Sequence, residues 1–182
     1  MSHSVIPIGD DPRPYLMDEA VLCLEHILDG YDGKANVFEW GAGHSTIWLA
    51  QRAEFVASVE HRAEWRDEVL LGARKHNVQV RLVLAREARY ADVICDYPAG
   101  MFDVMIVDGH QPWRAACINT ALEHITDGSW LVVDDSQWES YRRRLDRLAQ
   151  RERWDCLVFE GEKLRRGKLK PTETRFFQKR GT

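Results

Sequence analysis

Apolar positions along this chain repeat with two periods, and the alternation between them outlines a fold. Short runs rich in β-branched and aromatic residues at about 35–40, 55–60, 78–84, 102–107 and 130–133 read as strands. Between them the spacing lengthens to that of helices. Met17, Val21, Leu24 and Leu28 share a stripe over 16–29, which Asp29-Gly30 ends. A helix opens near Ser45, another over 62–76 aligns Trp65, Val69 and Ala73, and 112–125 stacks Cys117, Ala121 and Ile125. Ser136-Gln137-Trp138-Glu139 fits a capping box, and the helix it would open repeats Trp138, Tyr141, Leu145 and Leu148. Two last strands, about 154–160 and 173–178, flank a glycine- and lysine-rich segment, 161–170. Five β/α units followed by a hairpin predict an α/β, doubly wound domain with a parallel sheet between helical layers.

The 182 residues suit one domain, with 1–34 as an N-terminal segment and helix and 35–182 as the core. That length leaves little for a cap, so any ligand pocket is expected to be open or completed by a second subunit, a homo-oligomer. No stretch reaches the ~20 apolar residues of a membrane span. The polar, proline-punctuated start does not read as a signal peptide. Cys23, Cys95, Cys117 and Cys156 stand singly, without zinc spacing, so reduced thiols and a cytoplasmic location are expected. The net charge of -4 hides an asymmetry: residues 151–182 hold ten Lys/Arg against five Asp/Glu, the first 150 hold 15 against 24. A basic end can steer an anionic substrate or be a solvated hairpin. The overall basicity of a nucleic-acid binder is missing, so nucleic acid is not an expected partner.

The strongest local signal is Val37-Phe38-Glu39-Trp40-Gly41-Ala42-Gly43-His44-Ser45-Thr46, a strand running through two glycines into a helix. Glycines there let backbone turn sharply and approach a ligand. Ser45 stands where a dinucleotide fingerprint would continue toward its third glycine. Glu60, at the end of the second strand, is placed to accept both hydroxyls of an adenosine ribose. These two signals point to an adenosine-containing cofactor without separating NAD from S-adenosylmethionine. Asp108, Asp134 and Asp135 end the fourth and fifth strands, on the carboxyl edge where open α/β sheets bind ligands. Two carboxylates ~4 Å apart repel by ~4 kcal/mol at an effective dielectric of 20, so three together call for a cation, a shared proton or a positive ligand.

Glu39-x-Gly41-x-Gly43, then Glu60, then Phe102 to Gly109, then Leu131-Val132-Val133-Asp134-Asp135 resemble the successive motifs of class I S-adenosylmethionine-dependent methyltransferases, over about 35–140. The resemblance implies a Rossmann-like three-layer sandwich whose seven-stranded sheet has the order 3-2-1-4-5-7-6, with strand seven antiparallel. It implies that Glu39, Gly41 and Gly43 line the methionine side of the cofactor, with Ser45 and Asp108 in the same binding set. Glu60 would hold the ribose diol and His61 would pack near adenine. The acid cluster resembles the metal site of small-molecule O-methyltransferases acting on catechols and macrolide sugars. That implies Asp108, Asp134 and Asp135 as ligands of Mg²⁺ or another divalent cation. His110 stands near where related sugar methyltransferases carry a base. Two departures matter: Asp-Asp replaces Asp-Asn at strand five, and His110 follows Gly109 directly.

Trp40, Trp113 and Trp138 could wall an acceptor pocket, Tyr141 fits core packing better, and Arg114 could hold a carboxylate. No Asn/Asp-Pro-Pro-Tyr/Phe segment and no Pro-Cys nucleophile occurs, which favours an oxygen acceptor by elimination. The expected activity is methyl transfer to a hydroxyl of a small molecule or glycan. The rivals are an NAD(P)-dependent oxidoreductase and a cofactor-binding protein of the same fold without catalysis.

Overall fold

The computed structural model describes residues 11–76, 80–165 and 167–181. Helix α1 (Asp18–Asp29) precedes β1 (Asn36–Trp40), α2 (His44–Ala50), β2 (Phe55–Glu60), α3 (Ala63–Lys75) and β3 (Arg81–Leu84). Then come α4 (Glu87–Asp92), β4 (Val104–Val107), α5 (Arg114–His124), β5 (Trp130–Asp134), α6 (Glu139–Ala149), β6 (Trp154–Arg165) and β7 (Lys168–Lys179). The strands form one sheet in the order β3-β2-β1-β4-β5-β7-β6, with β7 antiparallel to both neighbours, as the resemblance implies.

Both faces of the central strands are buried, so they read as continuous apolar runs. The two-residue period still sorts them. Phe38, Trp40, Met105, Val107, Leu131 and Val133 pack with Cys117, Ile118 and Ala121 of α5 and with Tyr141, Leu145 and Leu148 of α6. Val37, Val56, Val104, Ile106 and Val132 face Leu24 and Leu28 of α1 and Trp48 and Leu49 of α2. Helices thus cover both faces, and every β-to-α turn between β1 and β5 opens on one edge. Trp40 belongs to the first of these layers: it is wholly buried, and its Nε1 donates to the carbonyl of Tyr90 at 3.0 Å. It walls no pocket.

Several elements differ from the periodicity. Strand three is described from Arg81, and Val78 lies outside the described residues. The segment after it, which carries no strong period, forms α4 and a 3-10 turn at Val93–Asp96, whose Tyr90, Val93 and Ile94 complete the core. The capping box does not form. Ser136 Oγ donates to Glu173 Oε1 at 2.7 Å, and α6 starts at Glu139 without a side-chain cap. The final hairpin is much longer than expected, with 161–165 paired to 168–172. Gly161 is a strand position where a Cβ would come within 2.5 Å of Met17 Sδ, and the turn falls at Gly167, φ +73°. Because Thr174 is paired with Asp134, the last residue of β5, strands β6 and β7 continue together beyond the carboxyl edge.

Candidate functional site

The turn after β1 is built under tight constraint. Gly41 has φ +106°, and a Cβ there would sit 2.6 Å from Gly109 Cα, so both conformation and space demand glycine. At Gly43 a Cβ would meet nothing closer than Trp65 Cζ2 at 3.7 Å, so glycine there keeps room on the cleft side. Glu39 lies behind this turn with no exposure. It accepts hydrogen bonds from Ser45 Oγ (2.5 Å), Thr46 Oγ1 (2.6 Å) and Ser58 Oγ (2.7 Å), tying β1, α2 and β2 together. Burial raises its pKa, and the three hydroxyls only partly offset that. Ser45, which Glu39 orients, borders the cleft, and Glu39 itself stands one layer back from it.

Gly41, Gly43, Glu60, Trp65, Asp108 and His110 are among the residues around a cleft of about 910 Å³. Glu60 Oε1 accepts from the backbone N–H groups of His61 and Arg62, each at 2.8 Å. These bonds fix the carboxylate while leaving Oε2 without a hydrogen-bond donor among the described residues. Burial raises the pKa of Glu60, opposed by those two amides and by Arg62. His61 Nδ1 lies 2.9 Å from Glu60 Oε1 but without hydrogen-bond alignment. Burial, with neighbouring His110, Arg62 and Arg86, lowers the pKa of His61 to about 4. Its ring packs on His110 at 4.7 Å between centroids, and His110 packs on Trp113, also at 4.7 Å. Tyr90 underlies this group, at 5.0 Å from Trp113.

The acids at the other end of the edge are brought together as expected, but their counter-charges are protein side chains. Lys163 Nζ is 2.9 Å from both Asp134 oxygens, and Thr174 Oγ1 donates to Oδ1 at 2.6 Å. Thr172 Oγ1 donates to Asp135 Oδ1 at 3.1 Å. Arg114 donates to Asp108 Oδ1 (2.8 Å) and to the carbonyls of Gly109 and Asp134, and lies 3.6 Å from Asp135 Oδ2. Asp135 adopts φ +54°, a backbone state that Asp tolerates better than most residues. Asp108 borders the cleft, whereas Asp134 and Asp135 are buried. Burial and the facing Asp134 push Asp108 up to about 8, against the pull of Arg114 and Lys163.

The expectation of a divalent cation at Asp108, Asp134 and Asp135 therefore meets a poor donor set. An oxygen-loving ion needs several free carboxylate lone pairs, and here ammonium, guanidinium and hydroxyl groups take them. Among the described residues no group of three or more His, Cys, Asp or Glu side chains is arranged to hold a metal. Arg114, engaged by two carboxylates and three carbonyls, is likewise no free carboxylate holder.

Sequence reasoning missed Lys163, Trp65 and Tyr15. Lys163 lay in a segment read as a loop, 29 positions from its partner. Trp65 was counted with the core stripe of α3, yet its Nε1 donates to Ala42 carbonyl at 2.6 Å and its ring borders the cleft. Tyr15, also at the cleft, places its ring 5.6 Å from Lys163 Nζ. No local pattern marks it.

No protein-family model matches the sequence, and no match is found among curated proteins. Solved structures do match. The O-methyltransferase TomG from Streptomyces achromogenes, involved in tomaymycin synthesis and in complex with SAM, aligns over 87% of this chain and 78% of its own, with TM-score 0.70 and 19% identity. An O-methyltransferase from Bacillus cereus in complex with SAH aligns over 85% and 80%, with TM-score 0.68 and 18% identity. An rRNA methylase from Streptococcus thermophilus covers 91% of this chain and 99% of its own, with TM-score 0.69 and 12% identity. The chain has the fold these methyltransferases share.

Proposed function

We propose that this protein is an S-adenosylmethionine-dependent methyltransferase acting on a hydroxyl of a small molecule or sugar. The observation that carries the reading is Glu60, which lines the cleft at the end of β2 with one carboxylate oxygen held by two backbone amides and the other without a hydrogen-bond donor among the described residues. Such a carboxylate suits a ribose diol, and solved structures of the same fold hold SAM or SAH. Gly41 and Gly43 shape the turn on the methionine side, and Ser45 offers a hydroxyl oriented by Glu39. His61, His110 and Trp113 supply flat faces for adenine.

The bound cofactor would supply an electrophilic methyl on sulfonium sulfur, leaving S-adenosylhomocysteine when the acceptor oxygen takes the methyl. This chain would bind and align the acceptor, then accept its proton. Two groups qualify as base. Asp108 borders the cleft, and its carboxylate, held in place by Arg114 through Oδ1, is placed to accept a proton. His110 also borders it, but its ring is packed against His61 and Trp113, which favours a stacking role. Asp108→Asn is expected to abolish turnover with S-adenosylhomocysteine binding retained; His110→Ala is expected to weaken that binding.

Tyr15 borders the cleft, and a second subunit would close the side left open. Among the described residues no helix is long and apolar enough to cross a membrane, and the four cysteines are unpaired, which suits a reducing cytoplasm. Isothermal titration tests the central reading. S-adenosylhomocysteine should bind and NAD should not; the reverse would replace it with an oxidoreductase. Incubation with a metabolite extract and mass spectrometry of the methylated product would then name the acceptor.

A further inference from the structure

The acid cluster has its cation built in. Lys163 is buried, which is uncommon for lysine unless its charge is paired. Its ammonium lies equidistant, at 2.9 Å, from the two oxygens of Asp134, the position from which an ion would bind that carboxylate through both. It arrives there because β6 extends past the end of β5, with Gly161 packed under Met17 and Tyr15 placed over the ammonium. Thr172 and Thr174, on the opposing strand, donate to Asp135 and Asp134. Arg114 serves Asp108 and Asp135 from the other side. Every carboxylate of the cluster thus has a protein cation within 4 Å, and the hairpin contributes one of the two.

We propose that Lys163 is the resident cation of this site, taking the place of a divalent ion and excluding one. The basic hairpin then has a specific role: it delivers a charge to the catalytic edge. The consequence for substrates rests on the methyl-transfer reading. Without a metal to chelate, an acceptor needs one hydroxyl and not a vicinal pair of oxygens.

The test reads ion binding on the whole protein, so it does not depend on turnover or on the cofactor. Mn²⁺ is titrated into wild type, Lys163→Met and Lys163→Arg, followed by the electron paramagnetic resonance of free Mn²⁺ and by thermal unfolding. Wild type and Lys163→Arg should bind no stoichiometric Mn²⁺ at millimolar concentration and show no shift in Tm. Lys163→Met should bind one ion per chain, and 1 mM Mn²⁺ should raise its Tm by about 3–6 °C. That gain should vanish in Lys163→Met/Asp134→Asn. Tight binding of one Mn²⁺ by wild type, lost in Asp134→Asn, would overturn the proposal. So would a folded Lys163→Met that gains no ion. Should Lys163→Met fail to fold, the wild-type and Lys163→Arg titrations decide, since binding by either refutes exclusion and its absence in both supports it. Titration of S-adenosylhomocysteine into the same wild-type sample tests the methyl-transfer reading separately.

Discussion

The two ends of the carboxyl edge are built on opposite principles. At the β1–β2 end most polar contacts are local: Glu39 is held by Ser45 and Thr46 within seven residues and by Ser58 nineteen away, and Glu60 by the two amides that follow it. That end leaves an oxygen of Glu60 and the space beside Gly43 for something else. At the β4–β5–β7 end the hairpin's contacts join residues 29 to 40 positions apart, Arg114 of α5 adds contacts to Asp108 and Asp135, and the charges neutralise one another. Three carboxylates on one edge suggest a shared ligand, but whether they need one depends on what the rest of the chain brings to them. The first end is prepared for a ligand. The second has supplied its own.

The largest expected effect comes from breaking the second end. Lys163→Met removes one partner of a fully buried pair, and urea unfolding should show a loss of about 3–5 kcal/mol, because Asp134 is left charged and uncompensated. Adding Asp134→Asn should cost less than the two single changes together, the signature of direct coupling. Additive losses would mean the contact carries no special weight. Next is Gly41→Ala, where an unfavourable φ and overlap with Gly109 should cost about 2–4 kcal/mol. Gly43→Ala should leave stability within about 1 kcal/mol while weakening S-adenosylhomocysteine binding, since its Cβ would extend toward the cleft. Equal stability losses at both would erase the distinction.

Glu60→Ala should weaken S-adenosylhomocysteine by about ten-fold or more, a charged hydrogen bond being worth ~1.5–3 kcal/mol. Asp135→Asn, at the other end, should leave that affinity unchanged; calorimetry on the pair shows whether the ends are independent. The smallest effect is in pH. His61 is held near pKa 4 against an ordinary 6.5, so the unfolded chain binds more protons between those values. Stability should therefore fall as pH drops from 6.5 toward 4, and His61→Gln should flatten that part of the Tm profile.

The sheet was legible because each strand and its following helix announce themselves locally, through period and through the Gly41 and Glu60 turn ends. Strand order is what the family resemblance implies, although the sequence pattern gives too short a hairpin. Its outer half is dominated by glycine and charged residues, as loops often are, and only pairing across the turn makes it strand. Ser136 had the spacing of a cap, but Glu173, 37 positions away, offered its hydroxyl a buried carboxylate. Trp40 lay beside the glycine turn in sequence, yet the pleat turns its ring to the helical layer.

What the sequence by itself determined is the set of groups on the carboxyl edge: the glycine turn, Glu60, and the three aspartates at the ends of β4 and β5. Their placement follows from the periodicity of single elements, which is a short-range property. Only the tertiary structure decided which of those charges remain available. Glu39 was withdrawn behind the turn by three hydroxyls, and Asp134 was neutralised by a lysine from a hairpin that closes over it. Charge compensation acts through space, and the chain that supplies the compensating ion need not be near in sequence.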